Sequence, residues 1–139
     1  MTALYTASST ATGDARNGHV RSTDGVLDFD LAVPKEMGGP GGALTNPEQL
    51  FSAGYAACFH GALKAVARAQ KITLEDTAVT VDVGIGPKDG GGYQLSVAIE
   101  AEIPGVDQAT AQELLDAAHQ VCPYSNATRG NIEVTLSVA

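Results

Sequence analysis

Apolar and acidic residues alternate from Val26 to Val33, the period-two pattern of a strand with one covered face. The Thr- and Ser-rich residues 5–11 and the short run 19–22 predict two further strands. Between them, Gly13-Asp-Ala-Arg-Asn-Gly18 predicts a hairpin tip, because Asn-Gly readily adopts left-handed turn geometry. Thr23-Asp-Gly25 marks the next turn, and Met37-Gly-Gly-Pro-Gly-Gly-Ala43 interrupts regular structure. The period then changes. Asn46 is a good N-cap, Pro47 suits the first helical position, and Glu48 favours the positive end of the helix dipole. The predicted helix runs to about residue 70, and its middle is small and apolar on nearly every side: Ala53, Gly54, Ala56, Ala57, Gly61, Ala62. A helix with no polar face is buried all round. A small domain with thin sheets leaves part of that burial to a second subunit.

Two strong strand patterns follow, residues 78–85 and 93–103, joined by Pro87-Lys-Asp-Gly-Gly-Gly92. A second helix starts at the N-cap Asp107, turns Leu114, Leu115, Ala118 and Val121 inward, and stops at Cys122, because Pro123 disfavours helical geometry in the residue before it. Residues 132–138 form a last strand. The order βββ-α-ββ-α-β predicts an α+β fold in one domain spanning residues 1–139.

Charge narrows the partners. The 139 residues carry a formal net charge of −8 with no basic run, so nucleic acid and anionic membrane would repel the chain. The amino terminus has no basic start followed by an apolar stretch, and no segment is long and apolar enough to span a bilayer. The expectation is a soluble cytoplasmic protein whose thiols stay reduced unless chemistry oxidises them.

There are two cysteines, Cys58 and Cys122, too far apart for a CxxC redox pair or a zinc knuckle. One reading is two small buried hydrophobes. The other is a peroxide-attacking cysteine and the cysteine that resolves it, if folding brings them together. The three histidines share no metal-ligand spacing with the cysteines, so no metal site is expected. His60 points to the side of the helix opposite Cys58, and His119, one turn before Cys122, reads as a packed helix-surface residue. Gly84-Ile-Gly86 lacks the third glycine of a dinucleotide loop.

The stretches Thr45-Asn-Pro-Glu-Gln-Leu-Phe-Ser-Ala-Gly-Tyr-Ala-Ala-Cys-Phe59 and Cys122-Pro-Tyr-Ser-Asn-Ala-Thr-Arg-Gly-Asn131 resemble the two cysteine segments of the organic hydroperoxide resistance branch of the OsmC/Ohr family. The opening Leu4-Tyr-Thr-Ala and the loop from Met37 fit as well, so the likeness covers nearly the whole chain. The resemblance implies an OsmC-like fold, an intertwined homodimer, and a thiol peroxidase that reduces alkyl and fatty-acid hydroperoxides to alcohols. It implies no bound cofactor, a disulfide in each turnover, and re-reduction by an external dithiol, protein-bound dihydrolipoamide. By position, Cys58 matches the peroxidatic cysteine, Cys122 the resolving one, Glu48 the active-site glutamate and Arg16 the active-site arginine. The hairpin around Arg16 is one residue longer than the family's usual form, which leaves Arg21 as a second candidate, and His60 stands where the family has an apolar residue. Two alternatives stay open: a broader OsmC-like peroxidase that also uses hydrogen peroxide, and a non-enzymatic thiol sensor or binding module.

The chemistry suits these residue types. An unperturbed cysteine is only about 3% thiolate at neutral pH, and lowering its pKa by ~2 units gains roughly 30-fold. Nucleophilicity falls with pKa, so the larger contribution must come from stabilising the departing alkoxide, a task for a fixed guanidinium held by a carboxylate. Glu48 and Cys58 stand ten residues apart on one predicted helix, roughly 15 Å along its axis. Two such helices packed antiparallel about a two-fold axis would bring Glu48 of one chain to Cys58 of the other.

Overall fold

The computed structural model describes residues 1–139. The chain divides into two compact units, Met1–Leu50 and Phe51–Ala139.

In the first unit, β1 (Ser9–Thr12), β2 (His19–Ser22) and β3 (Asp28–Asp30) form an antiparallel sheet in that order. The outer strands are shorter than the alternation predicts, and backbone hydrogen bonding gives the reason. At one end the β2 partner runs out where the turn at Gly25 begins, its N–H bonded to the Ser22 carbonyl. At the other, the bonds of residues 31–33 leave the ladder: Leu31 donates to Gly18, Ala32 to Thr45, and Val33 to the Asn17 side chain. The β1–β2 connection also differs from the expected Asn-Gly turn. It contains a 3-10 turn, Ala15–Asn17, and the left-handed positions are Gly13 and Ala15, at φ 72° and 51°. Gly18 is needed for closeness, since a Cβ there would lie 2.2 Å from the Thr12 carbonyl oxygen.

Helix α1 (Pro47–Ala69) starts as the sequence predicts, with the Asn46 side chain accepting the Gln49 N–H at 2.8 Å. Most of α1 belongs to the second unit, with β4 (Ala78–Pro87), β5 (Tyr93–Glu102), α2 (Gln108–Val121), α3 (Pro123–Thr128) and β6 (Val134–Val138). β4 and β5 pair antiparallel, and β6 joins β5 in parallel with Ile99 opposite Leu136. Asp107 caps α2 by accepting the Thr110 N–H at 2.7 Å. Tyr55, Phe59 and Leu63 of α1, Val97, Ile99 and Ala101 of β5, and Leu114, Leu115 and Ala118 of α2 make one apolar core.

Three features depart from the expected helices, the first being Val121, expected on the inner face of α2 but exposed at its last turn. Cys122 is extended, at φ −62° and ψ 124°, but Pro123 does not end helical structure; it opens α3 at the first helical position, where its missing N–H costs nothing. And α1 is not buried on every side within one chain: Ala53, Ala57, Gly61 and Ala65, one turn apart, are exposed. No helix is long and apolar enough to cross a membrane.

Candidate active site

Cys58 sits mid-way along α1, half-buried, and Cys122 is fully buried at the corner between α2 and α3. The corner brings the two together: the Cys122 thiol donates to the Cys58 sulfur at an Sγ–Sγ distance of 3.7 Å. Both are free thiols. Burial pushes the Cys58 thiol above its ordinary pKa and Cys122 adds to the rise, while the Tyr124 backbone N–H, bonded to the sulfur, opposes both. Phe51, Tyr55 and Tyr124 surround this end of the helix, with the Tyr124 centroid 6.0 Å from Phe51 and 5.5 Å from Tyr55. A groove of about 410 Å³ is lined by Phe51, Tyr93, Leu95, Ala127, Ile132 and Lys88.

The Cys122 corner is held by polar groups: the hydroxyls of Tyr55, Ser125 and Thr128, to which the sequence patterns gave no role, together with His119 and Arg129, the arginine expected from the sequence to anchor the loop after Cys122. Tyr55, fully buried, shares its hydroxyl with Ser125 Oγ at 2.8 Å and Thr128 Oγ1 at 3.0 Å. Ser125 also meets His119 Nδ1 at 2.8 Å. Arg129 donates to the His119 carbonyl at 2.9 Å and to Asn126 Oδ1 at 2.6 Å, tying the end of α2 to α3. The signal available in the sequence was two hydroxyls three residues apart, Ser125 and Thr128, on one face of a short helix.

In the first unit, Arg16 and Glu48 form a two-pronged ion pair: Nη1 donates to Oε2 at 3.1 Å and Nη2 to Oε1 at 2.9 Å. The guanidinium holds the Glu48 carboxyl below the usual carboxylate range, and Glu48 in turn raises the Arg16 pKa. Arg21 takes no part in this pair. It is exposed, and its charged neighbour is Asp28 at 3.8 Å. His19 is gripped between Asp28 and Asp30. His60 bonds Thr77 Oγ1 at 2.8 Å, and His119 turns to Ser125.

The OsmC-like protein family profile matches residues 39–137. Over 137 residues the chain is 56% identical to the organic hydroperoxide resistance protein of Xanthomonas axonopodis pv. citri, covering 98% of this chain and 95% of that one. This chain belongs to the OsmC-like family, in its organic hydroperoxide resistance branch. Solved structures of the branch share the fold: the protein from Elizabethkingia anophelis superposes with a TM-score of 0.95 at 55% identity, over 100% of this chain and 99% of its own. The Legionella pneumophila protein gives 0.94 at 54% identity, over 99% of each chain. The α+β order of this family member is the one its hydrophobic pattern predicts, with the short helix α3 added between α2 and β6.

Proposed function

We propose that this chain is a cysteine-based peroxidase that reduces organic hydroperoxides to alcohols, and that it works as a homodimer. The observation that carries the reading is the 3.7 Å separation of two thiols that lie 64 positions apart in the sequence. The Cys58 thiolate attacks the outer oxygen of the hydroperoxide; the O–O bond breaks, the alkoxide takes a proton and leaves as alcohol, and Cys58 becomes a sulfenic acid. The Cys122 thiol then displaces that hydroxyl as water, leaving a Cys58–Cys122 disulfide. An external dithiol, protein-bound dihydrolipoamide, returns both thiols and is itself oxidised to a disulfide.

Arg16 supplies the positive charge that the departing alkoxide needs, and Glu48 fixes its fork. Because Glu48 and Cys58 are ten residues apart on α1, the reading assigns each site to two chains, Arg16 and Glu48 from one and both cysteines from the other. The exposed stripe Ala53, Ala57, Gly61 and Ala65 supports close packing of a second copy. The aromatic wall and the neighbouring groove favour a substrate with an apolar organic group.

The deciding experiment measures peroxide consumption with dihydrolipoamide present, comparing tert-butyl and fatty-acid hydroperoxides with hydrogen peroxide. The reading requires turnover of the organic substrates, a strong preference over hydrogen peroxide, and loss of turnover in Cys58→Ser. Equal use of hydrogen peroxide would favour the broader peroxidase. Absence of steady consumption, with Cys58→Ser behaving like the wild type, would favour a sensor or binding module. A structure of the dimer in which Glu48 reaches Cys58 of its own chain would refute the two-chain site.

A further inference from the structure

The hydroxyl protons around Tyr55 can be assigned by elimination. With Thr128 Oγ1 donating to the Ser125 carbonyl at 3.3 Å, the arrangement that satisfies both of its bonds has it accepting from Tyr55. Tyr55 has then spent its own proton and accepts from Ser125 Oγ. Ser125 in turn accepts from His119, which fixes the imidazole with a proton on Nδ1. The result is a directed chain from His119 through Ser125, Tyr55 and Thr128 to the Ser125 carbonyl. It closes a loop around one corner of the fold. Three elements meet there: Tyr55 is one turn before Cys58 on α1, His119 is one turn before Cys122 on α2, and Ser125 lies three residues after Cys122 on α3. Tyr55 and Ser125 are both fully buried, and no buried side-chain nitrogen or oxygen in the chain is left without a partner.

We propose that Tyr55, Ser125 and His119 are positioning residues for the two thiols, a clasp that keeps the Cys122 corner against α1 so that the sulfurs stay poised to join. The proposal rests on the disulfide cycle above and deepens it. A disulfide needs its sulfurs ~2.05 Å apart, so from 3.7 Å closure requires a movement that side-chain rotation and a small corner shift supply. No backbone bond ties Cys122 itself to α1, because its own backbone bonds run within α2 and α3: its N–H to Ala118 and its carbonyl to Asn126. The polar hold on that corner from α1 is the Tyr55 hydroxyl, alongside the Tyr124 N–H on the Cys58 sulfur and the Tyr124 ring packed on Phe51 and Tyr55. His119 serves the clasp as a donor, and burial followed by the Arg129 charge lowers its pKa, against Asp116. The neutral ring with its proton on Nδ1 meets the requirement.

The test equilibrates the full-length protein with glutathione and glutathione disulfide, where one protein dithiol plus one glutathione disulfide gives one protein disulfide plus two glutathiones. Alkylation and mass spectrometry read the Cys58–Cys122 disulfide fraction, with no peroxide present. Tyr55→Phe and Ser125→Ala are expected to lower the equilibrium constant for that disulfide tenfold or more. His119→Leu should do the same, and His119→Asn, which keeps an N–H donor, should restore it to near the wild-type value. In a second arm, excess tert-butyl hydroperoxide should oxidise Cys58 at an unchanged initial rate in Ser125→Ala, yet leave more of it as sulfinic acid and less as disulfide. A purely structural role would lower thermal stability without that split. Folded variants whose glutathione equilibrium stays within twofold of wild type overturn the clasp. Should Tyr55→Phe fail to fold, Ser125→Ala and the two His119 variants decide by the same criterion. If the wild type is inert to hydroperoxide while the variants still shift the glutathione equilibrium, the clasp stands and the peroxidase reading falls.

Discussion

Cys58 feels opposed influences. Burial and the neighbouring Cys122 raise its pKa, and one backbone N–H lowers it. A raised thiol pKa means that thiolate accumulates only as pH rises, so alkylation of Cys58 should quicken through the alkaline range. If a partner's Arg16 supplies the missing positive charge, Arg16→Ala moves the midpoint of that alkylation curve to higher pH. It should also cut kcat/KM for tert-butyl hydroperoxide by about 10²–10³-fold, the usual cost of removing one donor to a developing oxyanion. A midpoint that does not move would take Arg16 out of the site. Cys122→Ser should lower the midpoint and, under excess organic peroxide, drive Cys58 to sulfinic acid; mass spectrometry distinguishes this from the disulfide of the wild type. Glu48 titrates in the opposite sense. Its folded pKa is depressed, so the Arg16 ion pair contributes stability above the unfolded carboxylate pKa and loses it as pH falls through the folded one. The pair is partly exposed, and its worth is less than about 1 kcal/mol. Denaturant titrations of wild type and Glu48→Gln should therefore differ slightly at neutral pH and converge in acid.

At the scale of elements, the proposed function puts the attacking thiol on α1, and the helix's small residues set what can approach it. A Cβ added at Gly54 would lie 2.8 Å from the Tyr124 hydroxyl and 3.3 Å from its ring. Alanine gains ~1 kcal/mol of helix propensity over glycine, but here the ring must move, and Phe51 and Tyr55 pack against it. Gly54→Ala should displace Tyr124, withdraw its N–H from the Cys58 sulfur, and lower peroxidase activity while the far-ultraviolet circular dichroism stays helical. Retained activity would show that the Tyr124 contact is dispensable. The elements themselves were legible where local rules act alone. Asn46-Pro47-Glu48 and Asp107 marked helix starts to the residue, and alternation found both long strands. The first sheet was less legible, because strand length depends on where a partner strand ends: residues 5–8 resemble strand without having a ladder to join, and of residues 31–33 only Leu31 pairs, in an isolated parallel bridge to Thr45.

For the whole molecule, a single chain leaves apolar surface uncovered in both units. Leu4, Tyr5, Val26, Leu27 and Phe29 are exposed in the first, and the Ala53, Ala57, Gly61, Ala65 stripe in the second. Small side chains allow two helix backbones to approach closely, so one large charged residue in the stripe should keep them apart. Ala57→Arg should convert a dimer to a monomer in sedimentation experiments and abolish turnover, with secondary structure intact. A monomer that still turns over organic hydroperoxide would exclude a site built from two chains.

The sequence by itself determined the order of elements apart from α3, the starts of both long helices, the family and the identity of both thiols, because caps, prolines, alternation and residue type act over a few positions. It also named Arg16 and Glu48, but only through likeness to relatives; spacing alone could not pair residues 32 positions apart. The 3.7 Å approach of Cys58 to Cys122, the raised thiol pKa and the Tyr55 clasp were decided by tertiary structure. Each depends on which side chains meet after α1, α2 and α3 have packed, and on how much water that packing excludes. Nothing in the chain's local patterns gives the hydroxyls of Ser125 and Thr128 a role; burial against a tyrosine from another helix does.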